Sequence, residues 1–274
     1  MSIVTTDAKG YFSDEVFPAE DVVPDSLVMQ PDVVTVTGAP EGDAPVVRIP
    51  YVDADPTVGF VAEGASIPES DPHLAEILVH TRKLALLASQ SNESYAYAGA
   101  AGSVATSMQR AITLKGDAAL LNSTADPTGL WATAGITDAG EVTTTFDPFI
   151  DAIAGIEANH GAASSILVHP KSWAVLSKIK YTDGVLQLGS PTQQSSRTLF
   201  GLPVHVTAAI AEGNALVVDS REIVAAVGPI QLTSSSDAAF NSDSVLHRAT
   251  WRIGWAVVHP DRLAKITITG PTQG

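Results

Sequence analysis

Apolar and polar residues change period several times along the chain, and the changes mark out its elements. From Val46, "VVRIPYVDADPTVGFVAEG" alternates weakly, and "EILVHTRKLALLAS", Glu76 to Ser89, alternates again. That pattern predicts a two-stranded antiparallel excursion with a long tip. The tip contains "GFVAEGASIPESDP", Gly59 to Pro72, apolar at its start and acidic after it. A hairpin alone in water is marginally stable, so this excursion requires a partner surface.

The period then becomes helical. "SNESYAYAGAAGSVATSMQRAITLKGDAALLNS" places Ala98, Ala101, Val104, Ala105, Met108, Ala111 and Ile112 on one stripe, with Ser91 or Asn92 available as a cap. A helix of about 25 to 30 residues would reach roughly 40 Å. Gly99 and Gly102 weaken it but permit close approach of another backbone. Pro127 and Gly129 break the chain after it.

Asp147 followed by Pro148 predicts an N-capped helix, with Phe149, Ile153 and Ile156 on one face and Gly161 closing it. "SSILVHP" predicts a buried strand, "KSWAVLSKIK" a helix facing inward through Trp173, Leu176 and Ile179, and "GSPTQQSSRT" a polar loop. "FGLPVHVT", "ALVVDSREIVAAV" and the strand-rich last third complete an α+β arrangement. In "LHRATWRIGWAVV", alternation puts His247, Ala249, Trp251, Ile253, Trp255 and Val257 on the core face and Leu246, Arg248, Thr250 and Arg252 on the other. Residues 1–45, with Pro18, Pro24, Pro31, Pro40 and Pro45 among short apolar pairs, predict an extended arm without a core of its own.

Composition narrows the class. With 274 residues, 45% of them hydrophobic, the chain can bury a sizeable core. No apolar run reaches the ~20 residues that span a bilayer, and no secretory start is present. The absence of cysteine excludes disulfides, thiolate metal sites and cysteine nucleophiles. A net charge of −15 disfavours sequence-independent nucleic-acid binding. Half of the 30 acidic residues fall within residues 1–80, beside only Lys9 and Arg48. That bias fits either a solvated acidic arm or an acidic first part lying on the better-balanced second part of another copy.

Nothing in the sequence prescribes chemistry. The nucleophile-elbow, phosphate-loop, dinucleotide and zincin motifs do not occur, so no catalytic, cofactor-binding or metal-binding residue is expected. His169 and His259 share the phrase V-H-P, which reads as a strand end stopped by proline with the ring bonded to backbone. Asp53 with Asp55, and Glu63 with Glu69 and Asp71, lack calcium-loop spacing and read as solvated acids. Trp251 and Trp255 read as buried core.

The ordered series "VGFVAEGASIPESD", "LALLASQSNES", the helix running to "KGDAALLNS", "PTGL", "ILVHPKSWAVLSKIK", "LFGLPVHVT" and "AFNSDSVLHRATWRIGWAVVHPDRLAKIT" resembles the major capsid proteins of tailed bacteriophages, the Hong Kong 97-like fold family. The resemblance covers roughly residues 45–268. It implies a shell subunit, a virion component assembled in the host cytoplasm around packaged double-stranded DNA, forming pentamers and hexamers. It divides the chain into an arm (1–45), an extended loop (46–88), a peripheral domain with the spine helix (89–143), an axial domain (144–229) and peripheral return strands (230–274). The loop tip would cross to a neighbouring subunit, where Glu63, Glu69 and Asp71 would meet Arg248 and Arg252. The implied partners are a separate scaffolding protein, a portal, a maturation protease and a decoration protein. The scaffold is expected to be separate because the chain has no room for a cleaved leading segment. No lysine lies between Lys9 and Lys83, so a covalently crosslinked shell is not expected. The alternatives are a cellular nanocompartment shell and, in another class, a hydrolase or carbohydrate-binding module.

Overall fold

A computed structural model of the chain describes residues 15–40, 45–54, 56–67, 69–95, 100–181, 183–188 and 197–270. Its first half runs β1 (Glu15–Phe17), α1 (Ala19–Val22), β2 (Thr35–Gly38), β3 (Val46–Ala54), β4 (His73–His80), β5 (Arg82–Ser91), α2 (Asn92–Tyr95), α3 (Ala100–Asn122) and β6 (Thr137–Val142). There follow α4 (Asp147–Ala158), β7 (Ser165–Val168), α5 (Pro170–Leu176), β8 (Thr198–Leu199), β9 (Leu202–Val206), β10 (Asn214–Val218), β11 (Ile223–Ala239), β12 (Ser244–Val257) and β13 (Ala264–Ile268).

The long antiparallel pair β11–β12 is the centre of one sheet, with β5 beside β12 and with β1 and β2 sharing the far edge of β11. Alternation decides its faces: Ala249, Trp251, Ile253 and Trp255 are buried, and Arg248 is exposed. The register shifts between Val227 and Ile230, where Pro229 has no ladder N–H to give. Trp251 Nε1 donates to the Gly228 carbonyl at that irregularity, at 3.0 Å. Helix α3 lies against this sheet through Met108, Ile112, Gly116 and Leu120, spaced at four-residue steps. A Cβ at Gly116 would stand 2.8 Å from the Trp251 ring, so the glycine sets how closely helix and sheet approach.

The second sheet has the order β6-β13-β10-β7-β9-β8. Its central strands are buried on both faces, which is why "SILV" and "ALVV" read as continuous apolar runs. Leu167, Leu216 and Val218 point into the first core, while Ile166, Val168, Ala215 and Val217 join Phe149, Ile156 and Leu176 in a second core under α4 and α5. One sheet therefore couples the two cores.

The structure departs from the sequence reading at several boundaries. Residues 19–38 are body: Val22, Val23, Leu27, Val28, Val33 and Val34 are buried in the first core, and β2 pairs with β11. Their apolar pairs fill space between α3 and the sheets without needing a period. The paired excursion ends at His80, because β5 belongs to the body sheet, so the boundary at 88 falls within a strand. β13 sits in the second sheet, between β6 and β10, and not with the return strands. Phe146 holds the N-cap position of α4; Asp147 is its first helical residue and accepts from Thr145 Oγ1 at 2.9 Å. Thr250 is buried although it shares the arginine face. The start of the long helix at Asn92 is separated from α3 by residues 96–99, outside the described residues, as is most of the polar loop at 189–198.

Candidate assembly surfaces

The hairpin β3–β4 is built by alternation and then outgrows its support. Val47, Ile49, Ile77 and Val79 face the body and pack on Val224, Ala226, Ala256 and Val258. At the root, a Cβ on Gly254 would overlap the His80 carbonyl, so glycine alone admits the crossing. Tyr51 stands edge-on to the His259 ring, 5.8 Å between centroids. The opposite face carries Val52, Leu74 and Leu78, all exposed.

Beyond the strands the tip is a closed loop. Thr57 N–H donates to Ser70 Oγ at 2.8 Å across its neck. At its apex Ala65 N–H donates to the Ala62 carbonyl at 3.0 Å, and Gly64 takes φ +81 as this turn requires. Val58, Phe60 and Ile67 are exposed at 92%, 111% and 78%. Glu63, Glu69 and Asp71 are exposed on the same tip and form no ion pair among the described residues. With eight to nine residues in each strand, the tip stands about 27 Å from the root.

On the outer face of the body sheet, Arg252 lies directly opposite Lys83 across β12 and β5. Like charges in that register repel. Neither has an acidic partner among the described residues; Arg252 Nη1 reaches only Thr81 Oγ1, at 3.4 Å. Both line a pocket of about 280 Å³ with Gln231, Thr250 and Pro40. Arg248 is exposed and touches Thr233 Oγ1 at 3.5 Å. The acids and the arginines of the sequence reading thus occupy two separate surfaces and do not meet within one chain.

Buried ionic groups outside these surfaces were invisible to sequence reasoning. Glu222, 6% exposed, accepts from Arg262 Nη1 at 2.6 Å and lies 2.7 Å from His259 Nδ1. His259 therefore bonds a carboxylate and not backbone, whereas His169 caps α5 by accepting the Lys171 N–H at 3.2 Å. Burial alone would raise the Asp219 carboxyl; bonds from the Arg221 side chain and from the Ala162 and Arg221 amides outweigh it and hold the group below its ordinary range. Asp117 on α3 accepts from Ser26 Oγ at 2.8 Å and Leu27 N–H at 2.9 Å, yet burial prevails and raises its carboxyl above the usual value. Asp32 binds both ways: its carbonyl accepts from Ser164 and Ser165 hydroxyls at 2.7 and 2.8 Å, and its carboxylate meets His205 Nε2 at 2.6 Å. Among the described residues no helix is long and apolar enough to cross a membrane.

The fold thus has two cores sharing one sheet and a projecting hairpin whose tip is exposed among the described residues. Residues 28–268 match the phage capsid family, and the chain belongs to that family. The capsid of a native GTA particle superposes with a TM-score of 0.71 at 17% identity, over 89% of this chain and 91% of that one. Structures from Microbacterium phage Oxtober96 and Mycobacterium phage Adephagia each superpose with a TM-score of 0.69 at 14% identity, the first over 98% of this chain and 100% of its own. The second covers all of both chains. No curated protein is similar enough to count as a relative. The protein is a major capsid protein, a structural component of the virion that forms its shell.

Proposed function

We propose that the chain builds an icosahedral shell of pentamers and hexamers around packaged double-stranded DNA, assembled in the host cytoplasm, and that it catalyses no reaction. The hairpin tip carries this reading: a loop of apolar and acidic residues that is exposed among the described residues of its own chain. Residues 46–80 serve as the loop that crosses to a neighbour, and Glu63, Glu69 and Asp71 meet Arg248 and Arg252 there. Bidentate geometry suits arginine to carboxylates in a partly buried contact. The unpaired, mutually repelling Lys83 and Arg252 support this pairing. The net charge of −15 suits a wall that encloses DNA without adhering to it. A separate scaffold, a portal, a maturation protease and a decoration protein complete the pathway.

Negative-stain microscopy of the purified protein tests the proposal. Closed, uniform shells are expected; a species that stays monomeric at every concentration and salt overturns it. With no cysteine and no lysine in the loop, boiling particles in detergent should return one band at 28.4 kDa, and a ladder of multimers would refute the non-covalent shell.

A further inference from the structure

We propose that the pocket between Lys83 and Arg252, on the outer face of the body sheet, binds a small tetrahedral oxyanion of the phosphate class. The proposal goes beyond the shell reading, because it concerns the unassembled subunit and is tested there.

The pocket is built by an irregularity of the sheet. Between Val227 and Ile230 the β11 strand carries one extra residue, so that Gly228 and Pro229 together oppose Arg252 of β12. A bulge of this kind bends its strand and re-aims side chains. On the other side of Arg252, Lys83 of β5 stands in direct register. Pro40 packs against the bulge: a Cβ on Gly228 would stand 3.2 Å from the Pro40 Cγ. Two prolines and a paired sheet thus give the enclosure of about 280 Å³ rigid walls.

Its lining is cationic and under-satisfied. No acidic residue is among the described residues that line it, in a chain with 30 acids and 15 lysines and arginines. Arg252 is half-buried, and its contact with the Thr81 hydroxyl is long, at 3.4 Å. Thr250 is 6% exposed, yet its hydroxyl meets the side chain of its cross-strand neighbour Gln231 only at 3.5 Å. A buried hydroxyl is ordinarily better satisfied. Placing a guanidinium and an ammonium side by side, partly out of water, costs free energy that an anion between them offsets.

The donors select the ligand. A guanidinium presents paired N–H groups to two oxygens, an ammonium acts as a point charge, and Thr250 and Gln231 supply neutral hydrogen bonds. A carboxylate has two oxygens to share among these groups, and a phosphate has four. The volume lies below the roughly 300–1,000 Å³ of sites for drug-sized molecules, which favours a small ion. Arg252 can serve this ion and a neighbour's carboxylates only in turn, so occupancy belongs to the free subunit.

The test titrates inorganic phosphate into the full chain, at concentrations where it stays unassembled, with ionic strength held constant by chloride. Calorimetry should show saturable binding with a dissociation constant of about 1 mM. Arg252→Ala and Lys83→Ala should each weaken it by about tenfold or more, and Thr250→Val, which keeps the shape without the hydroxyl, by about threefold. Phosphate also stabilises proteins by exclusion from their surface. An unfolding midpoint that climbs equally and without saturation in all four proteins therefore overturns the site, as does saturable binding that the three substitutions leave unchanged. Acetate should bind more weakly; equal or tighter binding overturns the oxyanion assignment in favour of a carboxylate. A short DNA duplex forms the last arm. Should it bind through Lys83 and Arg252 while inorganic phosphate does not, the ligand is a nucleic-acid backbone and the small-ion assignment fails. Each of these outcomes leaves the shell reading as it was.

Discussion

The root and the tip of the β3–β4 hairpin use the same kinds of residue to opposite ends. At the root, Val47, Ile49, Ile77 and Val79 close on Val224, Ala226, Ala256 and Val258, with Val79 fully buried. At the tip, Val58, Phe60 and Ile67 stand exposed among the described residues. Apolar surface at the root stabilises the subunit as it folds; the same surface at the tip contributes only on association. The difference lies in the partner and not in the side chains.

Substitutions at the two ends should therefore separate folding from assembly. The largest effect is expected from Gly254→Val, which drives a branched side chain into the His80 carbonyl. Overpacking there should cost about 3 kcal/mol, lower the melting temperature by roughly 6–12 °C, and abolish particles with it. A normal melting temperature would show that the root is not tied to the body as described. Glu222→Ala should follow, at about 2 kcal/mol, because it strands Arg262 and frees the His259 ring on which Tyr51 leans. Calorimetry of the unassembled subunit measures it, and a change within error would assign that cluster no role in stability. Arg252→Ala or Glu63→Ala should leave unfolding unchanged and weaken assembly by about 1 kcal/mol. A double-mutant cycle between them should give a coupling above about 0.3 kcal/mol; less in every acid–arginine combination would mean solvated charges.

The smallest effect belongs to Asp117. Its carboxyl is raised by burial, so the stabilising contribution of this group is complete below about 3.8, its ordinary value, and is lost as pH rises through the raised one. Asp117→Asn keeps an acceptor for Ser26 and Leu27 and carries no charge. The variant should match the unaltered chain in acid and exceed it slightly at neutral pH, as read by urea unfolding across that range. An advantage that shrinks with rising pH would reverse the assignment.

Strong periods were legible in the sequence. The alternation through Trp251 and Trp255, the helical stripe at Met108 and Ile112, and the continuous runs of β7 and β10 all became the elements they imply. The ordered series of motifs carried the family. What escaped was set by partners distant in sequence. Val22–Val23, Leu27–Val28 and Val33–Val34 have no period, and the groups that hold that segment in the body, among them the hydroxyls of Ser164 and Ser165 and the carboxylate of Asp117, lie far along the chain. Lys83 opposite Arg252 is a matter of register, which local pattern does not specify. The acids and arginines of the surfaces could be named as charges, but the pocket that Arg252 and Lys83 line together required β12 and β5 to be placed side by side. Phe60 did leave a signal: a large aromatic between two glycines at the apolar start of the loop.

The segment from Ser26 to Gly38 also constrains how a ribosome can deliver this subunit. Thr35 hydroxyl donates to the carbonyl of Ser220, a partner 185 residues further along, and β2 then lies beside β11. At the usual pace of translation that partner emerges roughly 10–40 s later. Throughout that interval Val28, Val33 and Val34 have no sheet to enter, and the first core cannot close until β11 and β12 have left the tunnel. Closure of the first core consequently waits for strands far along the chain, long after its first apolar pairs have been made.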